Sequence, residues 1–299
     1  MKISIIIPVY NGANHILKRI HELMLYKNKE AEFIFVNDGS TDRTLELLFG
    51  LKKDCKHLDV SVVSYLENKG QLYARKFGVE LAKYSDILMT DIDDPFSFSY
   101  LEGLKFDLDS KLPDTMITIP KQIFVNGKPN GVVWNIPQYL NPEQYVVSQF
   151  VNHSGLVAIN NTILKKEMVI KAITEVQKML EGIGVKRLDY AEDSLTANIM
   201  IQEGLVKYIF PSTVYSVPYT LDNQNSISKD RSKTMRDMPV LIANAYYQIF
   251  SQYEKEDVEL KDRMRQTHED ICKLKYGDDA KKFMQDVDKY VARMVKYYG

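Results

Sequence analysis

The run Ile3-Ser4-Ile5-Ile6-Ile7-Pro8-Val9 constrains this chain more than any other stretch. It is β-branched and apolar almost without interruption, and such a strand is stable only where both of its faces are covered, as in the middle of a parallel sheet. Further strand-like runs follow at Phe33 to Val36, Val60 to Val63 and Ile87 to Met89. Helical stretches separate them: Ile16, Ile20, Leu23 and Met24 at helical spacing, then Thr41 through Leu51, then Gln71 to Lys83. Four β units divided by helices predict right-handed crossovers and an α/β fold on an open, mostly parallel, doubly wound sheet.

The alternation breaks after Asp94. Between Gln122 and Asn135, the turn signals Asn126-Gly127 and Asn130-Gly131 separate Ile123-Phe124-Val125 from Val132-Val133-Trp134, so a hairpin is expected. A long helix is expected around Ile163 to Met179, and Tyr190-Ala191-Glu192-Asp193 opens another that carries Leu195, Ile199 and Met200. Past Pro218 the apolar residues Met238, Leu241, Ile242, Ala245 and Ile249 recur at helical spacing, as do Phe283, Val287, Tyr290, Val291, Met294 and Val295. The expected division is residues 1–225 as the α/β domain and 226–299 as a helical appendage. The appendage is expected either to mediate homo-oligomerisation or acceptor docking, or to pack its stripes onto the catalytic domain of one monomer.

Charge and cysteine content narrow the function. Lys and Arg number 39 against 40 Asp and Glu, so no basic field exists to capture nucleic acid, and an anionic ligand must be met by a local site. Cys55 and Cys272 stand far apart, outside any metal-binding or disulfide spacing. The N-terminal apolar run is too short for a signal-peptide core, and no run approaches the ~18 apolar residues of a membrane span. The expected location is the cytoplasm, including the inner membrane face as a peripheral site. GxGxxG and GxxxxGK followed by Ser or Thr are both absent, which argues against a Rossmann dehydrogenase and a P-loop NTPase.

In an open α/β sheet, ligands bind beyond the carboxyl ends of the strands. There the chain places Pro8-Val9-Tyr10-Asn11, then Asn37-Asp38-Gly39-Ser40-Thr41-Asp42, then Glu67-Asn68-Lys69-Gly70, and finally Asp91-Ile92-Asp93-Asp94. Three carboxylates in four residues repel one another unless a cation or hydrogen bonds compensate them, and hard cations such as Mg²⁺ or Mn²⁺ take oxygen ligands. The alternative is a solvated acidic turn that caps a following helix. Asp38-Gly39 suits a turn with Ser40 or Thr41 capping the next helix, or else a carboxylate that receives a base N–H beside a slot formed with Tyr10. Glu192-Asp193 suits the first turn of a helix on dipole grounds alone.

Taken together, Ile7-Pro8-Val9-Tyr10-Asn11, Val36 to Asp42, Asn68-Lys69-Gly70 with Ala74-Arg75 and Gly78, Asp91-Ile92-Asp93-Asp94, and Glu192-Asp193 resemble the family 2 glycosyltransferases of the GT-A fold. The resemblance spans about residues 1 to 220. It implies that Pro8, Tyr10 and Asp38 hold the nucleobase and ribose of a nucleotide-sugar donor, usually a UDP-sugar, and that Gly70 and Arg75 lie against it. It implies that Asp91 and Asp93 form a DxD motif that uses Mn²⁺ or Mg²⁺, with Asp93 as the direct ligand and Asp94 as a second candidate. Asp193 is the implied general base of an inverting transfer, with Glu192 supporting the acceptor: a saccharide, a lipid-linked saccharide or a glycoprotein. No QxxRW follows Asp193, so one-sugar transfer is expected over processive synthesis. Gln224 to Ser228 lies where relatives carry a donor-covering segment, and His153 is a candidate for contact with the diphosphate or metal. The rivals are a sugar nucleotidyltransferase, whose Gly-rich basic loop is missing, and a non-catalytic pseudo-glycosyltransferase.

Overall fold

The computed structural model describes residues 2–26, 30–94, 114–119, 121–125, 128–134, 159–211, 217–220, 230–252 and 258–299. The N-terminal part runs β1 (Ile3–Val9), α1 (Ala13–Leu25), β2 (Ala31–Asp38), α2 (Thr44–Asp54), β3 (Asp59–Tyr65), α3 (Gln71–Leu81) and β4 (Asp86–Met89). These four strands pair in parallel in the order β3-β2-β1-β4, as the alternating pattern predicts. Strand alternation explains why β1 is buried throughout. Ile3, Ile5, Ile7 and Val9 share a core with Ile16 and Leu23 of α1 and Leu48 and Leu51 of α2. Ile6 faces the other way, against α3. There Gly78 allows close approach, since a Cβ at that position would stand 2.5 Å from Ile6 Cγ2 and 2.9 Å from Val36 Cγ2.

Later strands extend this sheet. β5 (Thr115–Thr118), β8 (Thr162–Lys165) and β9 (Tyr208–Pro211) complete the order β3-β2-β1-β4-β8-β5-β9, with β8 antiparallel to both of its neighbours. Ile163 therefore belongs to a strand, and the helix expected from it, α4 (Lys166–Gly182), starts three residues later. Thr162, Ile163 and Leu164 are buried and complete the exposed ladder of β4, which outweighs their helical spacing. The expected hairpin forms from β6 (Lys121–Val125) and β7 (Lys128–Trp134), and β10 (Val217–Thr220) joins β6 in parallel. Asn130-Gly131 lies within β7 instead of a turn, opposite a register shift between Gln122 and Phe124, which a strand glycine accommodates.

The chain divides by packing into two compact units. The first holds both sheets with α1, α2 and α3. The second holds α5 (Glu192–Gln202), α6 (Arg231–Gln252), α7 (Val258–Tyr276) and α8 (Ala280–Tyr298), while α4 is divided between the two at residue 173. Met238, Leu241, Ile242 and Ala245 of α6 are buried, as are Phe283, Val287 and Met294 of α8. Tyr247 stacks on Tyr298 at 4.7 Å. These buried members of the two stripes pack inside the chain's own second unit. Among the described residues, no helix is long and apolar enough to cross a membrane.

His268 of α7 is fully buried, with Nδ1 2.9 Å from the Tyr246 hydroxyl and Nε2 3.6 Å from the Cys272 sulfur. Burial, and then Arg265, lower its pKa to about 4 from an ordinary 6.5. As pH falls below 6.5, the unfolded chain takes up the proton first, so stability is full above 6.5 and is lost as pH falls through 4. That loss integrates to about 3 kcal/mol. Urea midpoints at pH 7 and pH 4.5 are expected to differ more for the native protein than for His268→Asn. Equal differences would place the acid sensitivity elsewhere.

Candidate active site

The strand order reverses between β1 and β4, the position where open α/β sheets receive ligands. Pro8 helps to open this place. Pairing of β1 with β4 ends near Ile6, whose carbonyl accepts from Thr90 N at 3.1 Å. Residues two apart in a strand direct their polar groups to the same edge, so the N–H that Pro8 lacks falls on the β4 side, beyond the last pair. The chain after β4 is thus released from β1. Tyr10, just past the strand, is half-exposed, and Asn11 adopts a left-handed φ of 49°.

The loops after β1 and β2 are laced together by short polar side chains. Asn11 N donates to Ser40 Oγ at 2.9 Å, Thr41 N to Asn11 Oδ1 at 2.8 Å, and Gly12 N to Thr44 Oγ1 at 2.8 Å. Asp42, not Ser40 or Thr41, serves the start of α2, accepting from Thr44 N at 3.0 Å and from Ala13 N at 3.3 Å. Asp38 is buried, and its carboxylate accepts from Lys69 N at 2.7 Å, Gly70 N at 3.0 Å and Asn68 Nδ2 at 3.0 Å. It therefore shapes the Asn68-Lys69-Gly70 turn, where Gly70 has φ 92°, before any ligand arrives.

The acidic loop after β4 is gripped from three places, α3, α1 and the segment before β8. Asp91 pairs with Arg75 of α3 at 3.0 Å and accepts from Gln71 Nε2 at 2.7 Å and Asn160 Nδ2 at 2.9 Å. Asp94 accepts from Asn160 Nδ2 at 3.0 Å and Asn161 Nδ2 at 2.8 Å. From α1, the buried Arg19 donates to the carbonyls of Asp91, Ile92 and Asp94 and pairs with Glu22 at 2.6 Å. Burial pushes the Asp91 carboxyl up to about 6; Arg75 opposes the rise, and Asp94 and Asp93 add to it. Asp93 faces solvent. Partial desolvation and then Asp94 raise its carboxyl as well.

Glu192 and Asp193 belong to the second unit, in the first turn of α5. Glu192 is buried, whereas Asp193 is half-buried and its Oδ1 accepts from Ser194 N at 2.7 Å. The preceding Ala191 has φ 64°, a left-handed backbone that non-glycine residues seldom adopt. Tyr10, Asp38, Gly70, Arg75, Asp91, Asp93 and Asp94 all lie in the first unit, around the ends of β1, β2 and β4. His153 and Gln224 to Ser228 lie outside the described residues. The side chains missed in the sequence are Arg19, Gln71, Asn160 and Asn161. The Asn160-Asn161 pair directly before β8 carried the only local signal.

Among the described residues, no group of three or more His, Cys, Asp or Glu side chains is arranged to hold an ion. Asp91 and Asp94 lie in the grip of the Asn160 amide, and the neighbouring Asp93 is exposed. That donor set suits a hard cation bound through one or two carboxylates and completed by water and substrate phosphate, the usual habit of Mg²⁺.

Comparison with known proteins places this geometry. The sequence profile described as Glycosyl transferase family 2 matches residues 4–168. A Bacillus spizizenii poly(ribitol-phosphate) beta-glucosyltransferase is 33% identical over 181 residues, 59% of this chain and 28% of the relative. An uncharacterized Rickettsia bellii glycosyltransferase is 35% identical over 108 residues, 35% of this chain and 15% of its own length. The matched stretches thus span under a third of these curated relatives. The structure of S. aureus TarS 1–349 in complex with UDP-GlcNAc superposes with a TM-score of 0.55 at 19% identity, covering 100% of this chain and 92% of that one. At that identity the likeness is one of fold.

Proposed function

This chain belongs to glycosyl transferase family 2, and from that premise we propose that it moves one sugar from a UDP-sugar to a hydroxyl of a saccharide, lipid-linked saccharide or glycoprotein, with inversion. The observation that carries this reading is Asp91 at the end of β4, fixed by Arg75, Gln71 and Asn160 where the strand order reverses. The half-exposed Tyr10 offers a flat face for the base, and Asp38 a carboxylate for a base N–H. Arg75 and Gly70 lie along the donor's path.

Asp193 removes the proton of the acceptor hydroxyl as its oxygen attacks the anomeric carbon and the bond to the diphosphate breaks. Attack from the far side inverts that carbon. Asp93 would hold a divalent cation, which would supply Lewis-acid stabilisation of the leaving group. The donor of the TarS complex and the name of the Bacillus relative support a UDP-hexose or UDP-N-acetylhexosamine.

UDP with Mn²⁺ at a hundredfold excess over Kd is expected to raise stability by about 2.7 kcal/mol. The thermal unfolding midpoint measures it, and Asp93→Asn is expected to abolish the part that depends on Mn²⁺. An unchanged response in that variant removes the metal role of Asp93. A panel of UDP-sugars assayed for UDP release identifies the donor, and absence of release with every member would sink the catalytic reading.

A further inference from the structure

We propose that Asp237, on α6, is a positioning residue that fixes the turn at residues 189–191 and thereby the carboxylate of Asp193; this rests on Asp193 as the base. Asp237 is only 1% exposed. Its Oδ2 accepts from Asp189 N at 2.8 Å and from Tyr190 N at 3.0 Å, the two amides just before Ala191. Arg236 completes the clamp, with Nε 2.6 Å from Asp237 Oδ1 and Nη2 2.8 Å from Asp189 Oδ2. Arg187 Nε holds the other Asp189 oxygen at 2.6 Å.

The pinned turn passes directly into Ala191 at φ 64°, and α5 starts at the next residue. A left-handed alanine persists only where its surroundings over-determine it, and such residues gather at functional sites. Two more α6 side chains meet α5 further along. Gln248 Nε2 donates to the Asn198 carbonyl at 3.0 Å and Asn244 Nδ2 to Gln202 Oε1 at 3.3 Å. Asp237, Asn244 and Gln248 lie seven and four residues apart, so they form one stripe on α6. Asn244 and Gln248 hold the body of α5, whereas Asp237 acts on its entry turn. A buried carboxylate is a poor way to hold helices together when an apolar side chain serves as well. What it adds is direction, because two convergent N–H groups set the path of the chain into Glu192 and Asp193. Through Asp237, α6 therefore serves the chemistry by setting the entry to α5.

The test combines Asp237→Leu and Asp237→Asn, each alone and together with Asp193→Asn, in the full chain. The readouts are hydrolysis of the UDP-sugar that gives UDP release, donor KM, and exchange of the Asp189 and Tyr190 amides. Asp237→Leu is expected to lower kcat by up to about 10²-fold, the scale of a displacement near 1 Å, with KM held within about twofold. Asp237→Asn keeps one oxygen for both amides and is expected to recover most of the rate. In the Asp193→Asn background Asp237→Leu is expected to have no further effect, because the two residues act as a unit. Amide exchange at 189 and 190 is expected to quicken by about tenfold in Asp237→Leu. Multiplicative losses, an equal change in KM, or unchanged exchange would overturn the proposal. Full activity of Asp193→Asn would instead overturn the base assignment. If Asp237→Leu does not fold, Asp237→Ala, which admits water to the two amides, carries the same comparison.

Discussion

Turnover by Asp193→Asn is expected to fall by about 10²-fold or more, while donor affinity stays within about twofold. The substitution is conservative where it matters for folding. Asp193 Oδ1 receives the Ser194 amide at 2.7 Å in the first turn of α5, and an asparagine oxygen accepts the same bond. What the amide lacks is the ability to take a proton at neutral pH, so the loss falls on the chemical step. A 10²-fold fall corresponds to about 2.7 kcal/mol of transition-state stabilisation. Calorimetric UDP binding measured beside the rate decides the case, since a parallel fall in affinity would make Asp193 a donor ligand.

Arg75→Met is expected to destabilise the folded protein by about 3 kcal/mol, the lower end of the range for breaking an enclosed ion pair. The side chain of Arg75 is 1% exposed and that of Asp91 is 26% exposed, so the stranded carboxylate keeps some contact with water. Methionine preserves much of the volume, which isolates the charge from the packing. Urea unfolding measures the loss. Adding Asp91→Asn is expected to recover more than about half of it, because the neutral pair leaves no uncompensated charge. A double variant no more stable than Arg75→Met would assign the cost to the packed stem of the arginine.

The first four strands were legible because each is a short apolar run between helical stretches, and burial on both faces leaves that mark in sequence. Strand β8 was hidden. Thr162-Ile163-Leu164 suits a strand or the first turn of the helix that follows, and its partner β4 lies more than 70 residues earlier. The acidic loop announced itself as DxDD, but what holds it did not. Arg19 reaches carbonyls 72 to 75 positions later, and Asn160 reaches back 69 and 66 positions. Such contacts follow from topology and leave no local periodicity. The same holds for Asp237, which shares a polar stripe on α6 with Asn244 and Gln248, whereas its partners at 189 and 190 are backbone amides that no side-chain pattern reveals.

The placement of β8 also governs how the chain can assemble as it is made. Residues up to Met89 complete a four-stranded parallel layer by themselves, yet one ladder edge of β4 stays open until Thr162 to Lys165 arrive. At 5–20 residues per second, translation takes roughly 4–15 s to supply the missing strand. That is long compared with sheet pairing, so the nascent chain carries an unsatisfied, apolar edge that invites pairing with a neighbouring chain. The vulnerable moment in this protein's life therefore falls during synthesis, and expression yield is expected to depend on chaperone supply in that interval more than on the stability of the finished fold.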